Sequence, residues 1–244
     1  MIVKTIGSGS SGNGYALISG EDILLLECGV PAKEMLKAID YQTSMVNGCL
    51  LSHIHGDHAG YIKQYMQYGI MVYTSDEVET DVETVMGEKT IGLQRMKRQK
   101  IGSFEVVPFH VPHGETECDG WLIDTPDGRI LFITDAEYCP YDFSKMHINY
   151  GLIECNYAED YIRIEDSSPK YNHVLTGHME LETCKRLIQK INSVSLRSIG
   201  LIHLSAGNGN LVRFTEEIQE MVDCDVDVWV AEKGTEKEFR LMPF

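Results

Sequence analysis

Short apolar runs recur along the chain, broken by glycine-rich or charged segments. "MIVKTI", "YALIS" and "DILLLEC" are rich in branched and aromatic residues and separated by Gly-bearing turns, which predicts three opening strands. A helix is predicted near 31–40, where Pro31 suits a first-turn position and Met35, Leu36 and Ile39 share one side. "NGCLLS" predicts a buried strand, and residues 59–68 and 76–86 predict helices. Further strands are expected at 102–108, 121–125 and 129–134, with "TPDG" as a hairpin turn between the last two. "GLIEC" and "SIGLIHLS" predict buried strands, and "VDVWVA" predicts a closing one. "MELETCKRLIQKI" is amphipathic, with Leu181, Cys184, Ile188 and Ile191 at helical spacing, and "LVRFTEEIQEMV" predicts a second such helix. Mixed strands and helices with several hairpins fit two sheets covered by helices better than one all-parallel sheet.

Residues 7–12, "GSGSSG", match the dinucleotide fingerprint G-x-G-x-x-G literally. That fingerprint needs a helix immediately afterwards. "NGYALIS" follows instead and predicts a turn and then a strand, which excludes a Rossmann site. Two readings remain for the loop. It is a flexible turn, or its backbone N–H groups face a pocket together with Asn13.

Composition narrows the class. The 244 residues are 43% hydrophobic, enough for a sizeable core in one large domain or two small ones. There is no repeat, low-complexity tract, signal-peptide pattern or bilayer-length apolar run, so a soluble cytoplasmic protein is expected. Seven scattered cysteines without a CxxC pair predict reduced, mostly buried thiols. A formal charge of −16 argues against a broad basic surface gripping long nucleic acid. It leaves room for a nucleotide end entering a metal pocket, where bound cations dominate the field. The basic run "EKTIGLQRMKRQKIG" is expected to be solvated surface, with a strand-guiding patch as the other reading.

The chemistry is concentrated in "LLSHIHGDHAG", residues 50–60. His53, His55, Asp57 and His58 follow an apolar run directly. Buried without partners, each would be costly. A divalent cation that gathers them removes the difficulty. At a strand end, residues two apart point the same way, so His53 and His55 can clasp one ion. After the turn at Gly56, Asp57 and His58 can face a second. Imidazole with carboxylate suits zinc, iron or manganese. His113 in "VPHGE", Asp135 in "ILFITDAE" and His203 in "LIHLS" also follow apolar strands, and Asp135 could bridge two cations with its two oxygens.

The order HxHxDH, then His, Asp and His resembles the metallo-β-lactamase fold superfamily over nearly the whole chain. "GSGSSGNGYALI", "LLLECG", "LLSHIHGDHAG", "ECNY" and "IHLS" are similar to its YycJ-like branch, which is linked to DNA 5′-end exonuclease activity and, more distantly, to phosphodiesterases. The resemblance implies an α/β fold, an αββα four-layer sandwich of two mixed sheets flanked by helices, spanning 1–244 as a single domain. It implies a first metal site of His53, His55 and His113, a second of Asp57, His58 and His203, and Asp135 bridging them. His113 is preferred to His110 for the Gly that follows it. His110, His147 and His173 are expected to be ordinary histidines. Glu27 stands where the family has Asp and would support the site from behind. Tyr157 replaces a His after Asn156, and Glu180 replaces a hydroxyl near His178.

The expected function is hydrolysis of phosphodiesters by water activated on two divalent ions, zinc foremost and manganese or iron as alternatives. Asp57 and His178 are the expected catalytic residues, with His178 contacting phosphate or protonating the leaving oxygen. Asn13, Asn156 and Tyr157 are expected to touch substrate, which could be a DNA end or a small nucleotide. Three alternatives differ in class. One is hydrolysis of carbon esters, thioesters or lactams on the same ions. A second is di-iron redox chemistry, which usually has a carboxylate where His55 stands. The third is a metalloprotein that binds nucleic acid without cutting it.

Overall fold

The structure, a computed structural model, describes residues 1–161, 177–205 and 209–241. Fourteen strands among them form two seven-stranded sheets. The first sheet comprises β1 (Ile2–Gly7), β2 (Gly14–Ser19), β3 (Asp22–Leu26), β4 (Val46–Leu50), β5 (Val72–Ser75), β6 (Ile91–Leu93) and β14 (Glu236–Glu238), in the order β14-β1-β2-β3-β4-β5-β6. The second comprises β7 (Gln99–Ile101), β8 (Phe104–His110), β9 (Asp119–Thr125), β10 (Gly128–Ile133), β11 (Tyr150–Glu154), β12 (Ser198–Ile202) and β13 (Asp227–Val230), in the order β13-β12-β11-β10-β9-β8-β7. Each sheet is antiparallel through its hairpins and becomes parallel further along, from β3 to β6 and from β10 to β13.

The helices are α1 (Ala32–Ala38), α2 (Gly56–Ala59), α3 (Ile62–Gln67), α4 (Asp76–Asp81), α5 (Leu181–Ile191) and α6 (Leu211–Gln219). Among the described residues, none is long and apolar enough to cross a membrane. Alternation along the strands sorts the apolar residues into layers. Tyr15, Leu17, Leu24 and Leu26 face Phe104, Trp121, Ile123 and Phe132 between the sheets. Ala16, Ile23 and Leu25 turn the other way onto Met35, Leu36, Ile62 and Val78 of the helices. Leu122, Leu131 and Ile153 do the same against Leu187, Ile188, Phe214 and Ile218. The layers therefore run helix, sheet, sheet, helix, as expected for the metallo-β-lactamase fold.

The differences from the expected elements are local. Residues 59–68 form two short helices rather than one, with a break between Ala59 and Ile62. The helix over 76–86 is present, its second half closing as a wider π turn over Val82–Met86. The basic run is not merely solvated surface. It holds edge strands β6 and β7, one in each sheet, so the chain passes there from one sheet to the other. Arg95 bonds Asp119 and Glu117 and lies 3.4 Å from Glu77, while Arg98 pairs with Glu105 and Asp124. These arginines are already neutralised, which weakens a strand-guiding patch. All seven thiols are free and five are buried, as expected.

The Arg95–Asp119 pair carries a stability prediction. Asp119 is fully buried. Burial pushes its carboxyl up to about 6 even though Arg95 pulls it down. The unfolded carboxyl titrates near 4. Between those values the folded state holds the extra proton, so this group's contribution to stability falls as pH rises from about 4 to 6. Arg95→Met leaves the buried carboxylate uncompensated. It is expected to cost about 3 kcal/mol at pH 8, with the loss shrinking toward pH 5. Urea unfolding at the two pH values measures it.

Candidate metal centre

The polar residues that interrupt the strands' apolar pattern collect where the strands of both sheets end. Glu27 follows β3, His53 lies just past β4, and His203 follows β12. Asp135 lies just past β10, and Glu154 is the last residue of β11. Glu27, Asp135 and His203 have left-handed backbones, with φ of 66°, 45° and 53°. For non-glycine residues that conformation is strained, and such strain clusters at functional sites. It also answers how Glu27 stands in for a shorter acid. The left-handed turn sets its longer side chain 3.3 Å from His58 Nδ1, while Ser52 N donates to its Oε1. Gly29 is needed alongside, because a Cβ there would sit 1.7 Å from the Asp57 carbonyl.

His53, His55, His113 and Asp135 bring their ligand-capable atoms within 4.8 Å of one another, as do Asp57, His58, Asp135 and His203. Asp135 belongs to both groups. Its Oδ2 lies 3.7 Å from Nε2 of His53 and of His113, and its Oδ1 lies 3.2 Å from His58 Nε2. On the second side Asp57 Oδ2 is 3.5 Å from His58 Nε2 and 3.3 Å from His203 Nε2. Two nitrogens bound tetrahedrally at 2.0–2.1 Å from one zinc lie about 3.3 Å apart. The spacing here matches a coordination sphere.

Five imidazoles point inward with one nitrogen while the other is held from outside. Ser52 Oγ holds His53 Nδ1 at 2.9 Å, and Thr116 Oγ1 holds His55 Nε2 at 3.2 Å. His113 Nδ1 donates to the Gly177 carbonyl. Glu27 stands behind His58, and Glu154 Oε1 lies 3.2 Å from His203 Nδ1. This outer support fixes the tautomer and leaves the inner lone pair for a metal. The inner atom of His53, Nε2, is buried with no hydrogen-bond partner among the described residues. An orphaned buried nitrogen facing carboxylates and imidazoles is what a cation satisfies. The donor set therefore fits two divalent ions.

Titration points the same way. Burial lowers the pKa of His53, and burial lowers that of His113 to about 4, so both rings are neutral. Burial also opposes charge on Asp135 and Asp57, but the surrounding imidazoles outweigh it and hold both carboxyls below their usual range. For His203 burial is outweighed by Asp135, Asp57 and Glu154, which push it up to about 10. The protons on His203 and His58, both raised, would leave on metal binding.

Residues 25–203 match the family described as beta-lactamase superfamily domain. The chain belongs to that family. It is 22% identical over 242 residues to exodeoxyribonuclease WalJ of Streptococcus pneumoniae serotype 2, covering 92% of this chain and 90% of the relative. Among solved structures, the metallo-beta-lactamase fold protein YhfI from Bacillus subtilis superposes with a TM-score of 0.74 at 20% identity, over 97% of this chain and 98% of that one. Zn(2+)-bound PqqB from Methylobacterium extorquens gives 0.68 at 14% identity, over 98% and 100%.

Within this metallo-β-lactamase fold the remaining expected residues have clear places. His178 lies beside the cluster, its ring 5.6 Å from His113 and 5.1 Å from His203. It shares a cavity wall with Tyr157. Asn13 and Asn156, expected to touch substrate, both brace the cluster. Asn13 is wholly buried. Its Nδ2 lies 2.8 Å from His58 Nε2, its Oδ1 accepts from Gly9 N, and its N donates to the Asp57 carbonyl. Asn156 donates from Nδ2 to the His203 carbonyl at 2.8 Å. The "GSGSSG" loop is accordingly pinned to the cluster, and its Ser8 Oγ accepts from His203 N. His110 is partly exposed beside Glu117, His147 is exposed, and His173 lies outside the described residues.

Glu154 was missed by sequence reasoning. It is fully buried. Its Oε1 takes His178 Nδ1 at 2.7 Å as well as His203 Nδ1, and its Oε2 accepts from Ala136 N and Met179 N. The signal was present: an acid ending the apolar run "GLIE", the same pattern that singled out Asp135.

Removing the support behind one ligand tests the arrangement. Glu27→Gln is expected to weaken metal binding about 10- to 100-fold, because His58 loses its anionic partner. Competition with a chromogenic zinc chelator measures the loss.

Proposed function

We propose that the chain is a single domain over 1–244 that hydrolyses phosphodiesters on two divalent ions, zinc foremost. The observation that carries this reading is Asp135, which turns one oxygen toward each of two imidazole–carboxylate groups. His53, His55 and His113 would hold the first ion, and Asp57, His58 and His203 the second, with Asp135 shared. When bound, such ions lower the pKa of water and draw charge from a phosphoryl oxygen.

The chain's own residues do the rest. Asp135 and Asp57 would offset only part of the charge of two bound dications, so a phosphate would be attracted despite the acidic surface. Glu154 anchors the Nδ1–H of His178, whose ring lies at the cavity wall. Burial lowers the pKa of that ring, but Glu154 outweighs it and the net shift is upward. A protonated His178 can give its proton to the departing oxygen. The sequence led to two expected roles for His178, contact with the phosphate or protonation of the leaving oxygen, and the second is the one proposed.

The test is direct. Protein freed of metal by a chelator is expected to lose cleavage of bis-p-nitrophenyl phosphate and to regain it with zinc or manganese. Labelled DNA ends and a thioester panel run beside it. Turnover of thioesters alone would move the reading to carbon-ester chemistry on the same site. DNA binding without turnover in any metal would move it to a binding protein.

A further inference from the structure

A cavity of about 730 Å³ opens beside His178. That is room for one drug-sized ligand and not for a long strand. Its wall carries the carboxylates of Glu137, Glu159, Glu180 and Glu182, with Arg186 and Lys190 as cations beside His178. The acids gather near His178, because Glu180 and Glu182 open α5. Arg186 lies about 9 Å further along the axis than Glu180.

Tyr157 makes the cavity more than a ring of acids. It lines the wall, is only 4% exposed, and its hydroxyl has no hydrogen-bond partner among the described residues. Burial pushes that hydroxyl up to about 12, and Glu180, Glu159 and Glu137 push it the same way. A neutral phenol and several carboxylates thus face one space, and carboxylates can only accept hydrogen bonds. A cationic substituent is favoured there by the acids. A further phosphate is repelled.

We propose that this cavity receives the departing half of a small phosphodiester, and that this half is an alcohol bearing a cation rather than a neutral alcohol or another phosphate. The proposal rests on the phosphodiester reading above and narrows it. In the reaction, water adds to phosphorus and the P–O bond to the amino alcohol breaks. One hydrogen of the water's pair goes to the departing oxygen through His178. The other leaves as a proton or stays on the phosphate monoester.

The experiment compares kcat/KM of the zinc-loaded protein on glycerophosphocholine, glycerophosphoethanolamine, glycerophosphoglycerol and the dinucleotide pTpT, with bis-p-nitrophenyl phosphate as reference. The choline and ethanolamine esters are expected to exceed the neutral ester by about tenfold, equivalent to about 1.4 kcal/mol. They are expected to exceed pTpT by more. In Glu159→Gln/Glu182→Gln the ratio of choline ester to neutral ester is expected to fall several-fold, a ratio that partial unfolding or metal loss does not move. Equal or faster cleavage of the neutral ester or pTpT, or a ratio untouched by the double variant, overturns the proposal while leaving the phosphodiester reading intact. No turnover of any diester, the reference included, overturns both.

Discussion

Asp135→Ala will empty both halves of the cluster together, and cleavage of bis-p-nitrophenyl phosphate will fall by about 10³-fold or more, since the ions supply the activated water. The reason is geometric. Every other candidate ligand serves one side, whereas Asp135 faces His53 and His113 with Oδ2 and His58 with Oδ1. Its removal also strips the negative charge that lets neutral imidazoles gather around a dication. Asp57→Ala should differ in kind, because among the candidate ligands the Asp57 carboxylate meets His58 and His203 of the second group. That variant is expected to keep the first ion and lose the second. Metal analysis after dialysis separates the two cases, and the urea midpoint of each variant controls for unfolding. If Asp135→Ala kept two ions and normal turnover, the shared-carboxylate reading would be wrong.

The architecture was legible for most strands buried on at least one face, although β5 was not read. β2, β3, β10, β11 and β12 carry continuous or alternating apolar runs, and their boundaries fall close to the expected ones. β6, β7 and β14 were not legible, because three residues at a sheet edge bury at most one side chain each, Leu93 and Ile101 being those of β6 and β7. β14, Glu-Lys-Glu, is wholly charged, as suits an edge strand. The seven candidate ligands could be read because each breaks an apolar run at a strand end. The braces could not. Asn13 sits in a glycine-rich turn, and its tie to Asp57 spans 44 positions that no local pattern encodes. Glu154 carried the right local signal, but an acid at a strand end has many uses, and only the approach of His178 and His203 to one oxygen assigns it.

His178→Ala is the second large effect, and its size will depend on the leaving group. General acid catalysis contributes about 10²- to 10⁴-fold where the departing oxygen needs a proton. An alkyl alcohol needs one, whereas p-nitrophenolate leaves readily without. The variant is therefore expected to lose about 10³-fold on glycerophosphoethanolamine and only a few-fold on bis-p-nitrophenyl phosphate. Glu154→Gln should follow the same pattern with a smaller loss, because the ring stays but its Nδ1–H loses the carboxylate that holds it at 2.7 Å. Glu154 also stands behind His203, so that variant will lose some second-site metal as well, which metal analysis detects independently. A uniform loss across both substrates in His178→Ala, with metal content unchanged, would assign the ring to binding phosphate instead of to proton transfer. The contrast between leaving groups isolates the proton because both diesters meet the same ions and the same cavity.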